Sequence, residues 1–142
     1  MQIWPKRKQR PGVDEYGSAA LWYRAFEGNV AGVQSEIAAG ADPSAGDDAG
    51  YTPLHIAVQE RRTGIVTLLL EAGADTNRTD KHGNGPLWTA VYHGNVEIIE
   101  ILLRAGASPD HKNRVGKSPR DFALLARNNA VQILFGGPNV AA

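Results

Sequence analysis

The chain has 142 residues, 42% apolar and 21% charged, an ordinary globular balance that excludes a disordered or collagen-like polymer and argues for one domain rather than two. Its 15 Lys and Arg offset its 15 Asp and Glu, so no global positive field points to nucleic acid. Cysteine is absent, which removes disulfides and thiolate metal sites and favours a reducing compartment.

Residues 1–13 form a basic start with Lys6, Arg7, Lys8 and Arg10, read as a solvated tail. No apolar stretch of signal-peptide length follows them, and no run approaches membrane-spanning length, so a cytoplasmic chain without membrane contact is the expectation. From Asp14 onward the sequence repeats itself. AGAD at Ala39–Asp42 returns at Ala72–Asp75 and as AGAS at Ala105–Ser108, a step of 33 residues both times. TPL at Thr52–Leu54, GPL at Gly85–Leu87 and SPR at Ser118–Arg120 give the same step, and GNV at Gly28–Val30 returns two periods later at Gly94–Val96. In the unit between these last two, Arg61, Arg62 and Thr63 stand in its place. These marks divide residues 14–142 into units of about 14–46, 47–79, 80–112 and 113–136, with a short C-terminal tail.

Each unit carries the same local signals. Thr52 before Pro53 is an N-cap followed by the one helical position where a missing N–H costs nothing; Ser118 and Pro119 repeat the device, with Asp121 completing a capping-box pair. A Gly-Asn turn at Gly94 and Asn95 leads to a second helix whose Val96, Ile98, Ile99, Leu102 and Leu103 gather on one face, and Gly106 ends it. The stretch from Asp75 to Gly83, rich in Asp, Asn, Thr and Gly, suits an extended connector with a tight turn. The unit is therefore helix, turn, helix, protruding loop. One such pair cannot bury both of its faces, so neighbouring pairs must share one elongated core.

The run from Asp47 through Thr52-Pro53-Leu54-His55-Ile56-Ala57 to Ile65-Val66 and Leu68-Leu69-Leu70-Glu71-Ala72-Gly73-Ala74-Asp75 resembles the ankyrin repeat, and the resemblance extends over about residues 14 to 136. It implies an all-α solenoid of four helix-turn-helix units with β-hairpin-like loops, in which loop tips and first helices form a concave face used for binding other proteins. The end units depart from the pattern. The first has Ala19 and Ala20 in place of Thr and Pro, and Arg24 where Ala57, Ala90 and Ala123 stand in the others. The fourth has Arg120 in place of Leu, and Gln132 and Gly136 in the apolar rows of its second helix. Both are read as capping repeats with a wetted outer face.

Chemistry at the remaining motifs is absorbed by the repeat. Gly116-Lys117-Ser118 lacks the glycine of a phosphate loop five positions earlier, where His111 stands, and it aligns with Gly50-Tyr51-Thr52 as loop tip and cap. His55, His82, His93 and His111 form no zinc pattern, and Asp75 to Asp80 lacks the Gly and closing Glu of a calcium loop. No activated nucleophile or acid–base pair is set up, so neither catalysis, a cofactor nor a small-molecule substrate is expected. His55 is expected to bond the neighbouring loop backbone. Trp22 and Trp88 share its register and are read as packing, each indole N–H finding a carbonyl, with contact to a partner as the second role.

Carried over from the resemblance by register, the partner-contacting positions are Tyr16 and Ser18, Asp48 and Tyr51, Lys81, His82 and Asn84, and Arg114 and Lys117 at the tips. On the first helices they are Trp22, Phe26, Gln59, Glu60, Trp88, Tyr92, His93 and Leu125. Tyr16, Tyr51, Tyr92 and Phe26 are the hot-spot candidates, since scaffold packing asks for no aromatic at these positions. Residues 14–75 hold 3 basic and 10 acidic residues, and residues 76–142 hold 8 and 5, so charge is polarised along the chain and the acidic half suits a basic partner. The expectation is a monomeric protein-binding module acting as an inhibitor or immunity partner of a basic toxin or enzyme; the alternative is a non-catalytic scaffold or adaptor between cellular proteins.

Overall fold

A computed structural model describes residues 19–136. Tyr16, Ser18 and the basic start therefore lie outside the described residues. Among those described, eight helices follow one another in four pairs: α1 (Ala20–Glu27) with α2 (Val30–Ala38), α3 (Pro53–Gln59) with α4 (Thr63–Glu71), α5 (Pro86–His93) with α6 (Val96–Arg104), and α7 (Pro119–Leu125) with α8 (Asn129–Leu134). The first helices pack in the order α1, α3, α5, α7 and the second helices in the order α2, α4, α6, α8, giving two layers joined within each pair. The chain is all-α, a helical repeat solenoid.

The caps fall where the sequence places them. Thr52 Oγ1 accepts from the His55 amide at the start of α3, and Ser118 Oγ accepts from the Asp121 amide at the start of α7, each within a reciprocal capping box. Asn29, Asn95 and Asn128 cap the second helices of their pairs with their side-chain oxygens. Beyond the second helices, Gly40, Gly73 and Gly106 adopt φ of 89°, 89° and 91°, a left-handed geometry that an L side chain resists.

The core is one continuous seam. Leu21, Ala25 and Val33 lead into Leu54, Ala57, Val58, Ile65, Val66 and Leu69, then into Leu87, Ala90, Val91, Ile98, Ile99 and Leu102, and finally Ala123, Val131 and Phe135. The alanines at 57, 90 and 123 are all fully buried, where a β-methyl is as much as the gap between layers holds. At the far end the seam opens: Leu124, in register with the buried Val58 and Val91, is 44% exposed.

The fourth pair closes the stack with polar bonds where the inner pairs use packing. Arg120, in register with Leu54 and Leu87, donates from Nε and Nη2 to both oxygens of Asp110 at 2.7 and 3.3 Å, and from Nη1 to the Phe135 carbonyl at 2.7 Å. Gln132, in register with Val66 and Ile99, gives its amide to the Leu124 and Ala126 carbonyls at the end of α7. Gly136 departs from the sequence expectation. It lies past the end of α8 with φ of 77° rather than inside an apolar row, because α8 stops at Leu134 after 6 residues where α4 and α6 run for 9.

Candidate functional site

The protruding loops are built by one acidic or amide residue each. Asp47 Oδ1 accepts from the Ala49 and Tyr51 amides, Asp80 Oδ1 from His82 and Asn84, and Asn113 Oδ1 from Val115 and Lys117. The first and last residues of each five-residue loop also bond through their backbones, at 3.0, 2.9 and 2.8 Å. Successive tips are then tied together: the Lys81 amide donates to the Ala49 carbonyl at 2.8 Å, and the Arg114 amide to the His82 carbonyl at 3.0 Å. This close approach needs Gly50 and Gly83, since a β-carbon there would lie 3.0 Å from Asp80 Cα and 3.1 Å from Asn113 Cα. Asp48, Lys81, His82, Arg114 and Lys117 all reach solvent on this ribbon of tips.

Below the tips, His55 joins two units. Its Nδ1 accepts from the Thr52 amide at 3.1 Å, which fixes that nitrogen as unprotonated and leaves Nε2–H to donate to the Asn84 carbonyl at 2.9 Å. The ring is fully buried. Burial lowers its pKa from 6.5, against the opposing effects of the Asn84 bond and of Asp80 and Asp47. His55 thus takes the expected role, bonding the next loop.

The tryptophans at the same register do something else. Trp22 stacks on Phe26 with ring centroids 5.9 Å apart and meets Tyr23 edge-on at 5.3 Å. Its indole N–H is buried and meets no acceptor among the described residues, contrary to the expectation of a carbonyl partner. Trp88 packs on Phe122 at 5.1 Å, and Phe122 in turn stacks with Tyr92 at 6.0 Å.

Tyr51, Gln59, Asn84, Trp88, Tyr92 and His93 come together around an open groove of about 260 Å³ between α3 and α5, completed by Asp80 and Thr89. Tyr51 is its hinge. The phenol donates to Gln59 Oε1 at 2.8 Å, and its ring lies 4.8 Å from the His55 ring. Burial raises its pKa above 10.0, a hydrogen bond from Thr89 acts the other way, and the charges of Asp80, Asp47 and Glu60 raise it further. Gln59 Nε2 donates to Glu60 at 3.4 Å on the same side. Trp22 and Phe26 lie on α1 outside this groove, and Leu125, 75% exposed, stands at the far end of the first-helix layer.

Several contributors carry little signal of their own in the sequence. Thr89 and Phe122 share the register of Tyr23 and Ile56, a position that is core in the second unit, and only the aromatic residues there in the first and fourth units hint at a surface role. Arg61 and Arg62, which replace a Gly-Asn turn, reach opposite ways: Arg61 Nη2 donates to the His93 carbonyl ending α5, and Arg62 Nη2 to the Phe26 carbonyl near the end of α1. Each places a cation on the negative end of a neighbouring helix.

Among the described residues no cluster of three or more His, Cys, Asp or Glu is positioned to hold a metal ion, and no helix is long and apolar enough to cross a membrane. The architecture is that of a repeat platform with an exposed, aromatic-rich first-helix face. The family described as ankyrin repeats (3 copies) matches residues 21–113, about two thirds of the chain, and the chain belongs to the ankyrin-repeat family. Such repeats generally serve as protein–protein interaction modules and are typically non-catalytic. No curated protein matches the chain.

Proposed function

We propose that the chain grips a basic partner protein across its loop tips and first helices, and that this grip inhibits the partner, as an immunity protein silences a toxin. The observation that carries the reading is the pairing of exposed aromatics with an acidic field. Tyr92 is 65% and Phe26 43% exposed on the first helices, where scaffold packing asks for no aromatic. Beside them, the three cations of residues 14–75 are already engaged: Arg24 with Glu27 at 3.3 Å, Arg61 and Arg62 with helix-end carbonyls. This half holds 10 acidic residues against 3 basic ones, and among the described residues Glu27, Asp42, Glu71 and Asp75 are exposed, which favours a basic surface and speeds its encounter. On this reading the platform acts as a single copy in the cytoplasm, with units near 14–46, 47–79, 80–112 and 113–136.

The test is isolation of the complex from the native host, followed by association kinetics at low salt. Asp48→Lys with Glu60→Lys should slow association at least tenfold and flatten its salt dependence. An unchanged rate overturns the basic-partner reading. Co-expression separates inhibitor from adaptor: relief of the partner's toxicity supports inhibition, and a partner that is not toxic alone overturns it in favour of a scaffold.

A further inference from the structure

Resting on that reading, we propose that the groove between α3 and α5 is a pocket for one arginine side chain of the partner. Its walls are flat aromatic surfaces, with Trp88 and Tyr92 on α5 and Tyr51 opposite. Its polar lining is rich in acceptors. Asp80 spends Oδ1 on the His82 and Asn84 amides, while its second oxygen accepts nothing among the described residues. Gln59 Oε1 takes one bond from Tyr51 and retains a lone pair.

Charge selects the ligand. Asp80, Asp47 and Glu60 all act on the Tyr51 hydroxyl, which places a negative potential in the groove. Arg61, in the turn after α3, is held on the His93 carbonyl. A cation over an aromatic face in such a field is attracted by both the ring quadrupole and the carboxylates. Flat aromatic walls beside carboxylate and amide acceptors suit a planar guanidinium with five N–H donors and weak hydration better than a compact, strongly hydrated ammonium. The open mouth admits a side chain presented from another protein surface, and the groove lies directly under the ribbon of tips that would hold that surface.

The probe is N-acetyl-arginine N-methylamide titrated into the full chain, followed through the Trp88 indole N–H by NMR, with the signal assigned from Trp88→Phe. The neutral isostere N-acetyl-citrulline N-methylamide and the lysine analogue are the controls. The arginine probe should move the Trp88 signal, the citrulline probe should not, and lysine should bind more weakly. Asp80→Asn and Tyr92→Ala should each weaken the arginine probe by about fivefold. Asp80→Asn keeps the loop, because Asn113 makes the same two amide bonds in the next tip. Equal shifts with citrulline, tighter binding of lysine, or a silent Trp88 overturn the assignment. If the isolated partner occupies the first-helix face while Asp80→Asn leaves its affinity unchanged, the arginine pocket fails and the wider reading stands. If the partner binds elsewhere, the wider reading fails, and the small-probe titration still decides the groove.

Discussion

The second and fourth helix pairs open with the same capping device and put it to different ends. In the second, Thr52 and His55 close a box whose third partner is the Asn84 carbonyl, 29 residues on, so the cap of one unit is also a strut to the next. In the fourth, Ser118 and Asp121 close a box that makes no such bond to another unit among the described residues, and the neighbouring Arg120 reaches Asp110 in the preceding loop and the Phe135 carbonyl just past α8. A repeat array is a sum of unit stabilities and interface terms, so an interior cap contributes to both and a terminal cap to the first alone.

Substitutions at five positions test and sharpen that distinction. The largest effect is expected in the shared seam: Leu69→Ala, at a fully buried side chain in α4, should cost about 3 kcal/mol of unfolding free energy in urea titrations. Ile133→Ala in α8, at a position 47% exposed, should stay within about 0.5 kcal/mol. Equal losses at the two sites would mean that the terminal pair is as deeply integrated as the interior one.

Next comes His55→Ala, which leaves the buried Thr52 amide without its acceptor and takes from the Asn84 carbonyl one of its two donors, and should cost about 2 kcal/mol or more. Its pH signature is separate. Because the folded protein holds the His55 pKa below 6.5, the unfolded chain binds more protons in the window beneath that value. Stability from this group is fully present above pH 6.5 and is lost as pH falls through the folded pKa. Chemical denaturation at pH 7.5 and pH 5.5 should therefore show a loss in the wild type that His55→Ala lacks. The carboxylates of Asp110, lowered by its bond to Arg120, and Asp121, lowered by its bonds to Ser118, respond only below their ordinary 3.8 and do not blur that window.

Ser118→Ala should cost less, about 1 kcal/mol, the ordinary value of a helix cap with no strut attached. The smallest effect sharpens the role of the α3–α4 turn. Arg61 holds φ of 57°, where Gly28 and Gly94 stand in the flanking units. Arg61→Gly relieves the backbone while losing the bond to His93, and should be nearly neutral. Arg61→Ala loses the bond and keeps the strain, so it should fall about 1 kcal/mol below the glycine variant in thermal unfolding.

Much of this was legible from residues alone. Thr-Pro and Ser-Pro pairs, Gly-Asn turns and the AGAD signature act through local backbone chemistry, so helix positions and left-handed glycines follow from short windows of sequence. Six of the expected contact residues meet in one groove because the 33-residue step sets Tyr51, Gln59, Trp88 and Tyr92 on adjacent faces. Interactions between units were harder to read. Nothing adjacent to Arg61 or Arg62 reveals that their guanidinium groups end on carbonyls 32 and 36 residues away. Phe122 hid at a register that is core elsewhere, and Gly136 aligned with Leu70 and Leu103 although the short α8 had already ended. Trp22 illustrates a different limit: its stacking partner Phe26 lies one helical turn away and is readable, whereas a bond for its indole depends on what surrounds the first unit.

The ties between tips, from Lys81 to Ala49 and from Arg114 to His82, run entirely through main-chain atoms. The edge they form is therefore indifferent to the lettering it displays. Residues 81, 82, 114 and 115 can be rewritten together, by drift or by design, and the frame beneath will present the new text at the same spacing.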